Sequence, residues 1–409
     1  MSRCLRNCAL LWLALLLPGC RDGGSGLVGG VVLRDSAGVH IVLNTAPAWR
    51  RDSAWTVVDT PFFDVGGEAN TTFRDIVGVV RTPAGALAVA DGGDQRIRVF
   101  DGSGALIRIL GARGSGPGEF QSLSWMVSSG DSLLAYDLVA RRLTLFGADG
   151  KVRTAVLDAG SSLFAAPVAR FHDGSLLVES GGPVFPFPGR EGQVRRDSAL
   201  LLRVDAEGHL RDTLAQVAWS ESFGARLGAG DRHFMAPLPL PFARRASAAT
   251  LRSGFVVGEG GDYAVNRFSA AGTEELSMRR NVSGAPVTPE AIQAFTEARR
   301  AAPAGGGMEG VLDSAMARAL AGAPFPKVMP AFERILTDDA GNVWVLNYSI
   351  RGDQPKRWSV FSDAGRWLGD VTTPPRFDVR FIARDALYGV WRDAHETLHV
   401  RGYQLRKPR

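Results

Sequence analysis

An all-β fold, a six-bladed β-propeller with an N-terminal strand closing the last blade and a small helical insertion, is what this 409-residue chain predicts. Three observations carry the prediction. A short β-rich run ending in Phe or Val, with Gly four residues later, recurs five times, and a turn residue followed by alternating apolar residues recurs six times. The composition, 49 Gly with 45% hydrophobic and 22% charged residues, is globular and too Gly-rich for a helix bundle.

Residues 1–19 read as a lipoprotein signal peptide: a basic start with Arg3 and Arg6, an apolar run from Ala9 to Leu17, then Leu17-Pro18-Gly19-Cys20. Nine apolar residues fall short of the roughly 20 that span a bilayer, so the run is a secretory core and not a membrane anchor. The ending resembles the bacterial lipobox, which makes Cys20 the expected lipid-anchor residue; Pro18 is unusual there, and an ordinary cleaved signal is the competing reading. Residues 20–30, with Arg21-Asp22-Gly23-Gly24-Ser25-Gly26, are expected to be a flexible tether ahead of a propeller body at 31–409. The three cysteines, Cys4, Cys8 and Cys20, all lie in this leader, which rules out disulfide scaffolds, Cys-ligated zinc and cysteine nucleophiles in the body.

The repeating units follow in order. Their turn-plus-strand halves are Pro83-Ala84-Gly85 before LAVAD, Gly130-Asp131-Ser132 before LLAYD, Asp173-Gly174 before SLLVE, Ser253-Gly254 before FVVGE, Asp339-Ala340-Gly341 before NVWVL, and Arg384-Asp385 before ALYGVW. Their hairpin halves are Phe100 with Gly104, Phe146 with Gly150, Val204 with Gly208, Phe268 with Gly272, and Phe361 with Gly365. The constant offset fits a tight turn in which Gly takes a positive φ. Six first halves and five second halves leave the last unit incomplete. Phe62-Phe63-Asp64-Val65 near the N-terminus is expected to complete it, with Val39 to Leu43 a further edge strand of that same blade; such closure removes an exposed sheet edge.

Two insertions interrupt the period. Gly181 to Gly189 is a Pro/aromatic loop, and about 288–322 is a helical insertion: Thr288 as N-cap, Pro289 at the first helical position, helix from Ala291 to Arg300, and a second run from Met308 to Leu320. Such a connection emerges on one rim of the channel.

VADGGDQRIRVFDGSG at Val89 to Gly104, followed by GARGSGPGEF at Gly111 to Phe120, resembles the NHL-type propeller repeat, closely over residues 73–157 and more loosely beyond. The whole chain is similar to bacterial lipoproteins and secreted proteins of an uncharacterised six-bladed β-propeller family, including the DSAGVHIV opening at Asp35 to Val42. The resemblance implies a fold and not an activity, because propellers host binding, scaffolding, lyase and lactonase functions alike.

Chemistry is sparse. His395-Glu396-Thr397-Leu398-His399 is a literal H-E-x-x-H, which holds zinc when helical. Here a turn at Asp393-Ala394 and strand composition from Thr397 to Leu405 put the two His roughly 13 Å apart along a strand, so no zinc is expected. His40, His172, His209 and His233 are scattered. Asp91, Asp137 and Glu179 occupy like positions at the ends of second strands; they are expected to accept hydrogen bonds from turn amides, a ring of Ca²⁺ ligands being the alternative. The Gly-rich 111–118 segment lacks the ending of a phosphate loop and reads as an inter-blade linker. Trp344, Trp358, Trp367 and Trp391 are expected in packed strands.

No catalytic, cofactor-binding or metal-binding residues are therefore expected, and no cofactor. A net charge of +5 includes Arg3 and Arg6 of the leader, and the 47 basic residues are 43 Arg and 4 Lys without long runs, so nucleic acid is not the expected partner. The expectation is a monomeric lipoprotein of the bacterial cell envelope, held to a membrane by lipidated Cys20 and binding a protein or glycan; the alternative is a metal-assisted lyase or lactonase at the channel mouth.

Overall fold

A computed structural model describes residues 27–28, 30–68, 71–160, 165–182, 187–229, 232–301 and 319–408. The signal peptide, Cys20 and most of the expected tether lie outside the described residues, as do residues 183–186 of the Pro/aromatic loop and 302–318, which include most of the second helical run.

The chain is an all-β six-bladed β-propeller. Blade 1 is Ile76–Arg81, Leu87–Asp91, Arg96–Phe100 and Leu106–Leu110; blade 2 is Leu123–Ser129, Ser132–Asp137, Arg142–Phe146 and Val152–Val156. Blade 3 runs through Ala166–Arg170, Leu176–Gly181, Val194–Val204 and Leu210–Ala229, and blade 4 through Ser247–Thr250, Gly254–Gly258, Ala264–Ser269 and Glu274–Arg280. Blade 5 is Phe332–Thr337, Val343–Asn347, Lys356–Phe361 and Trp367–Thr373. Blade 6 is Phe377–Ile382, Ala386–Arg392 and Leu398–Arg406, completed from the other end of the chain by Phe63–Gly66. Blades 1 to 5 pair their strands antiparallel in sequence order, and blade 6 does so for its first three strands.

The five repeat glycines behave as their spacing requires. Gly104, Gly150, Gly208, Gly272 and Gly365 all sit at φ between 76° and 91°, where an L side chain is strained. The alternating apolar residues meet between blades. Ile97, Phe120 and Leu133 join blades 1 and 2, and Trp344, Trp358, Phe377 and Tyr403 join blades 5 and 6. Phe63, Val89, Phe100, Tyr388 and Val400 join blade 6 to blade 1, so the core is a ring of inter-blade layers.

The N-terminal segment closes the ring as predicted at Phe63 to Val65, with Val400 opposite Val65 and Gly402 opposite Phe63. The expectation for Val39 to Leu43 is corrected. Val39–Asn44 lies parallel on the outer strand of blade 4, Val42 opposite Met278, and carries the antiparallel strand Val31–Ser36 on its own outer side. Asn44 locks this docking: buried to 2% exposure, it donates to Arg279 O (3.2 Å) and Gly365 O (3.0 Å) and accepts from Trp367 N (2.8 Å). The chain then crosses the outside of blade 5, where Ala48 N and Trp49 N donate to Trp367 O and Leu368 O. Trp49 fits because residue 369 is Gly; a Cβ there would lie 2.3 Å from its ring. Residues 31–66 thus form a belt over blades 4, 5 and 6. Alternation identified these strands, but their partners are set by the path of the belt.

Successive antiparallel strands put all first-to-second and third-to-fourth turns on one rim and all other connections on the opposite rim. Among the described residues the connections on the first rim are all short turns. On the second, blades 1 and 2 use the short turns 92–95 and 138–141, whereas 182–193, 281–331 and 348–355 are long. Blade 3 adds a ribbon absent from the sequence reading: Leu210–Ala229 outruns its blade and pairs with Arg232–Pro239. Its buried Phe223, Ala225, Leu227, Ala236 and Leu238 pack against Ala323, Ala319 and Leu320. The helix is Pro289–Ala301, with Thr288 Oγ1 accepting from Ala291 N at 3.3 Å, and residues 319–321 are again helical.

Candidate functional site at the long-connection rim

The ends of the second strands align by register: Asp91 opposite Ile76, Asp137 opposite Leu123, Glu179 opposite Ala166, Gly258 opposite Ser247, Asn347 opposite Phe332 and Trp391 opposite Phe377. In blades 1 and 2 the aspartates are wholly buried and surrounded by donors. Asp91 accepts from the amides of Arg74 (3.1 Å), Asp75 (2.9 Å), Gly93 (3.1 Å) and Asp94 (3.3 Å), and from Arg98 Nη1. Asp137 accepts from the amides of Gln121 (2.7 Å), Ser122 (3.2 Å), Val139 (3.0 Å) and Ala140 (2.9 Å). A carboxylate ringed by N–H groups is a turn brace, as expected: its oxygens face donors.

Glu179 departs from this pattern. Its blade has no short turn whose amides could reach it, and burial pushes its carboxyl up to about 7, only partly opposed by the Arg245 charge and a hydrogen bond from the Trp219 side chain. The folded state holds this proton more tightly than the unfolded chain, whose carboxyl ionises near 4.5. The stability lent by the protonated form is complete below about pH 4.5 and is lost as pH rises to about 7, a difference of up to about 3 kcal/mol. Glu179→Gln is expected to match the wild type at pH 4.5 and to exceed it in stability at pH 8, as read by urea denaturation at both pH values; equal stability at pH 8 would contradict the burial argument. Glu333, on the innermost strand of blade 5, is also pushed up by burial while accepting from Ser349 N at 2.9 Å.

Between blades 5 and 6 the innermost strands meet through charge. Asp378 pairs with Arg334 across the blade boundary and lies 2.9 Å from Arg380 Nε and 3.8 Å from Lys356 Nζ. Burial would raise the Asp378 carboxyl, but the charges of Arg334, Arg380 and Lys356 outweigh it and hold the group below its ordinary value. This cleft encloses about 390 Å³, and a second of about 500 Å³ opens between blades 4 and 5 around Tyr263, Arg280 and Asn347. A hollow of about 810 Å³ lies between blades 3 and 4 beneath the stem of the helical insertion, with Arg196, Arg244, Glu259, Asp262 and Lys327 on its walls. Its lining reaches from Gly258 and Glu259 at the end of the second strand of blade 4 to Asn266, Phe268 and Glu274 on the outer strands.

The H-E-x-x-H segment is not helical. His395 is exposed in a turn, Glu396 has φ 62°, and His399 is on a strand with Nδ1 2.9 Å from Asp64 Oδ1 and its ring against Trp391. Arg401 also binds Asp64 and covers Trp391, so His399 belongs to the closure of the ring. Among the described residues no group of three or more His, Cys, Asp or Glu is placed to hold a metal ion. The double change His395→Ala, His399→Ala is expected to leave metal content unchanged and to cost about 1 kcal/mol through the Asp64 contact. Stoichiometric zinc in the purified protein, lost on that change, would overturn this.

Trp344 and Trp358 are fully buried core residues. The 111–118 segment is a linker, with Arg142 donating to the carbonyls of Ser115, Gly116 and Glu119. The cleft between blades 5 and 6 was missed because its residues come from three separate strands without a shared motif.

No family model matches the chain, and no curated protein matches it. Among solved structures it is similar to a Bacteroides fragilis protein described as exported (TM-score 0.47, 11% identity, covering 88% of this chain and 97% of that one). It is also similar to a DUF4221-family member from Bacteroides vulgatus (0.45, 10%, 87% and 100%) and to virginiamycin B lyase from Staphylococcus aureus (0.42, 8%, 86% and 100%). Likeness at this level says nothing about activity.

Proposed function

We propose that the protein is a monomeric, lipid-anchored, extracytoplasmic propeller of NHL type that binds a protein or glycan ligand on its long-connection rim. One observation carries the reading: the helix, the ribbon of blade 3, the long loops and the clefts at blades 4–5 and 5–6 all gather on that rim, while the described connections on the other rim are all short turns. Scaffold loops that exceed the length a turn needs are where binding residues concentrate. The competing lyase or lactonase reading needs converging metal ligands, and the described residues group none.

The membrane part rests on the Leu17 to Cys20 ending and the polar stretch after it; among the described residues no helix is long and apolar enough to cross a bilayer. Cys20→Ala is expected to move the protein from the membrane to the soluble fraction and to block processing, whereas unchanged fractionation and size would refute the anchor. The binding part is tested by affinity capture from detergent-solubilised envelope. The rim variant Arg351→Glu, Arg376→Glu should lose partners that the opposite-rim variant Asp149→Lys retains; identical partner sets would refute it.

A further inference from the structure

The cleft between blades 5 and 6 holds more positive charge than its own structure uses. Asp378 is matched by Arg334, which is itself fixed by a second bond from Nη1 to Val379 O at 3.3 Å. Arg380 Nε is ion-paired to the same carboxylate at 2.9 Å, so Arg334, Arg380 and Lys356 share Asp378, with Glu333 the further acid near Lys356. Lys356 Nζ is 3.8 Å from Asp378, its side chain is 15% exposed, and among the described residues it makes no hydrogen bond. Half-buried cations that outnumber the acids beside them attract an anion, because less water remains to compete.

The rest of the lining narrows the ligand. Arg376 and Arg392 add positive charge, but Asp353 and Glu396 also border the cleft. Glu396 is 73% exposed and only 4.0 Å from Arg392, and Asp353 pairs with no cation among the described residues. Cations in excess of carboxylates lie at the buried end, and the carboxylates Asp353 and Glu396 lie at the exposed end, an arrangement suited to a molecule bearing both charges. A dianion such as phosphate would meet repulsion from Asp353, Glu396 and Asp378 together. A volume of about 390 Å³ is at the small end of the roughly 300–1,000 Å³ that ligand pockets span.

We propose that this cleft binds a small zwitterion, an amino acid or short peptide in size, with its carboxylate on Lys356 and Arg380 and its ammonium toward Asp353 and Glu396. The proposal shares the rim with the binding function above and relies on that reading for location alone; partner capture can fail while the titration succeeds, and the reverse.

The experiment is calorimetric titration of the detergent-solubilised full-length protein with a panel of amino acids and dipeptides. Each member is compared with its methyl ester, which lacks the carboxylate, with its N-acetyl form, which lacks the ammonium, and with inorganic phosphate. At least one zwitterion should bind saturably at one site, its ester and N-acetyl forms at least tenfold more weakly, and its affinity should fall at high salt. Lys356→Met and Arg380→Gln should each weaken it at least tenfold. Lys356→Met touches no hydrogen bond of the fold and keeps the test valid if Arg380→Gln unfolds. The assignment fails if no panel member binds, if an ester binds as tightly as its parent, if phosphate binds more tightly than every zwitterion, or if Lys356→Met leaves the affinity unchanged.

Discussion

A protein lacking residues 27–68 is expected to aggregate, because that deletion strips the belt from three blades at once. Removing Phe63–Gly66 opens the ring at blade 6 and exposes Phe73, Val89, Phe100 and Val400, which Phe63 and Val65 cover. Removing Val39–Asn44 bares the outer strand of blade 4, with its unpaired backbone donors and acceptors from Leu276 to Arg280. Two free sheet edges beside uncovered apolar residues template association between chains. Trimming only residues 21–26 should leave a monomer with the wild-type melting transition. A milder probe is Gly66→Ala: at φ +146°, a Cβ would sit 2.5 Å from Leu398 O and 2.8 Å from His399 Cα, and the strain should cost about 1–3 kcal/mol. Size-exclusion chromatography and thermal melting decide the matter, and a monomeric deletion protein with unchanged melting would show that the belt does not close the ring.

The second large effect is expected at Asp137. Its wholly buried carboxylate accepts from four backbone amides at one end of blade 2, and Asp137→Ala removes the partner of all four. A loss of about 3 kcal/mol or more is expected from urea denaturation. Asp137→Asn should lose roughly half as much, since one oxygen keeps the bonds from Ser122, Val139 and Ala140 while the amide nitrogen faces Gln121 N. A change within about 0.5 kcal/mol for Asp137→Ala would mean that the brace is redundant.

These two results probe different depths of legibility. Gly104, Gly150, Gly208, Gly272 and Gly365 announced their turns because a positive φ leaves almost no residue but Gly, and Asp91 and Asp137 announced their braces because a short turn follows each. The partner of Val39–Asn44 was not legible. Alternation says that a strand has a buried face, and it is silent on which of several outer strands will accept its backbone. The blade 3 ribbon was not legible although Phe223, Ala225 and Leu227 alternate, since a strand of 20 residues is far longer than the other blade strands and has no counterpart in the other units.

The number of repeating units, their turn glycines, the helix cap at Thr288 and the non-helical backbone at His395 to His399 are legible in the residue pattern, because each depends on backbone geometry within a few residues, which side-chain type constrains directly. The closing strand at Phe63 is legible for another reason: the count of half-units leaves one strand missing. The path of the belt, the raised carboxyl of Glu179, and the meeting of Arg334, Lys356, Asp378 and Arg380 come from the folded arrangement. Those features arise where strands far apart in the chain are brought side by side by the closing of a ring, and charges acquire their chemistry from neighbours and from lost water that no local pattern records.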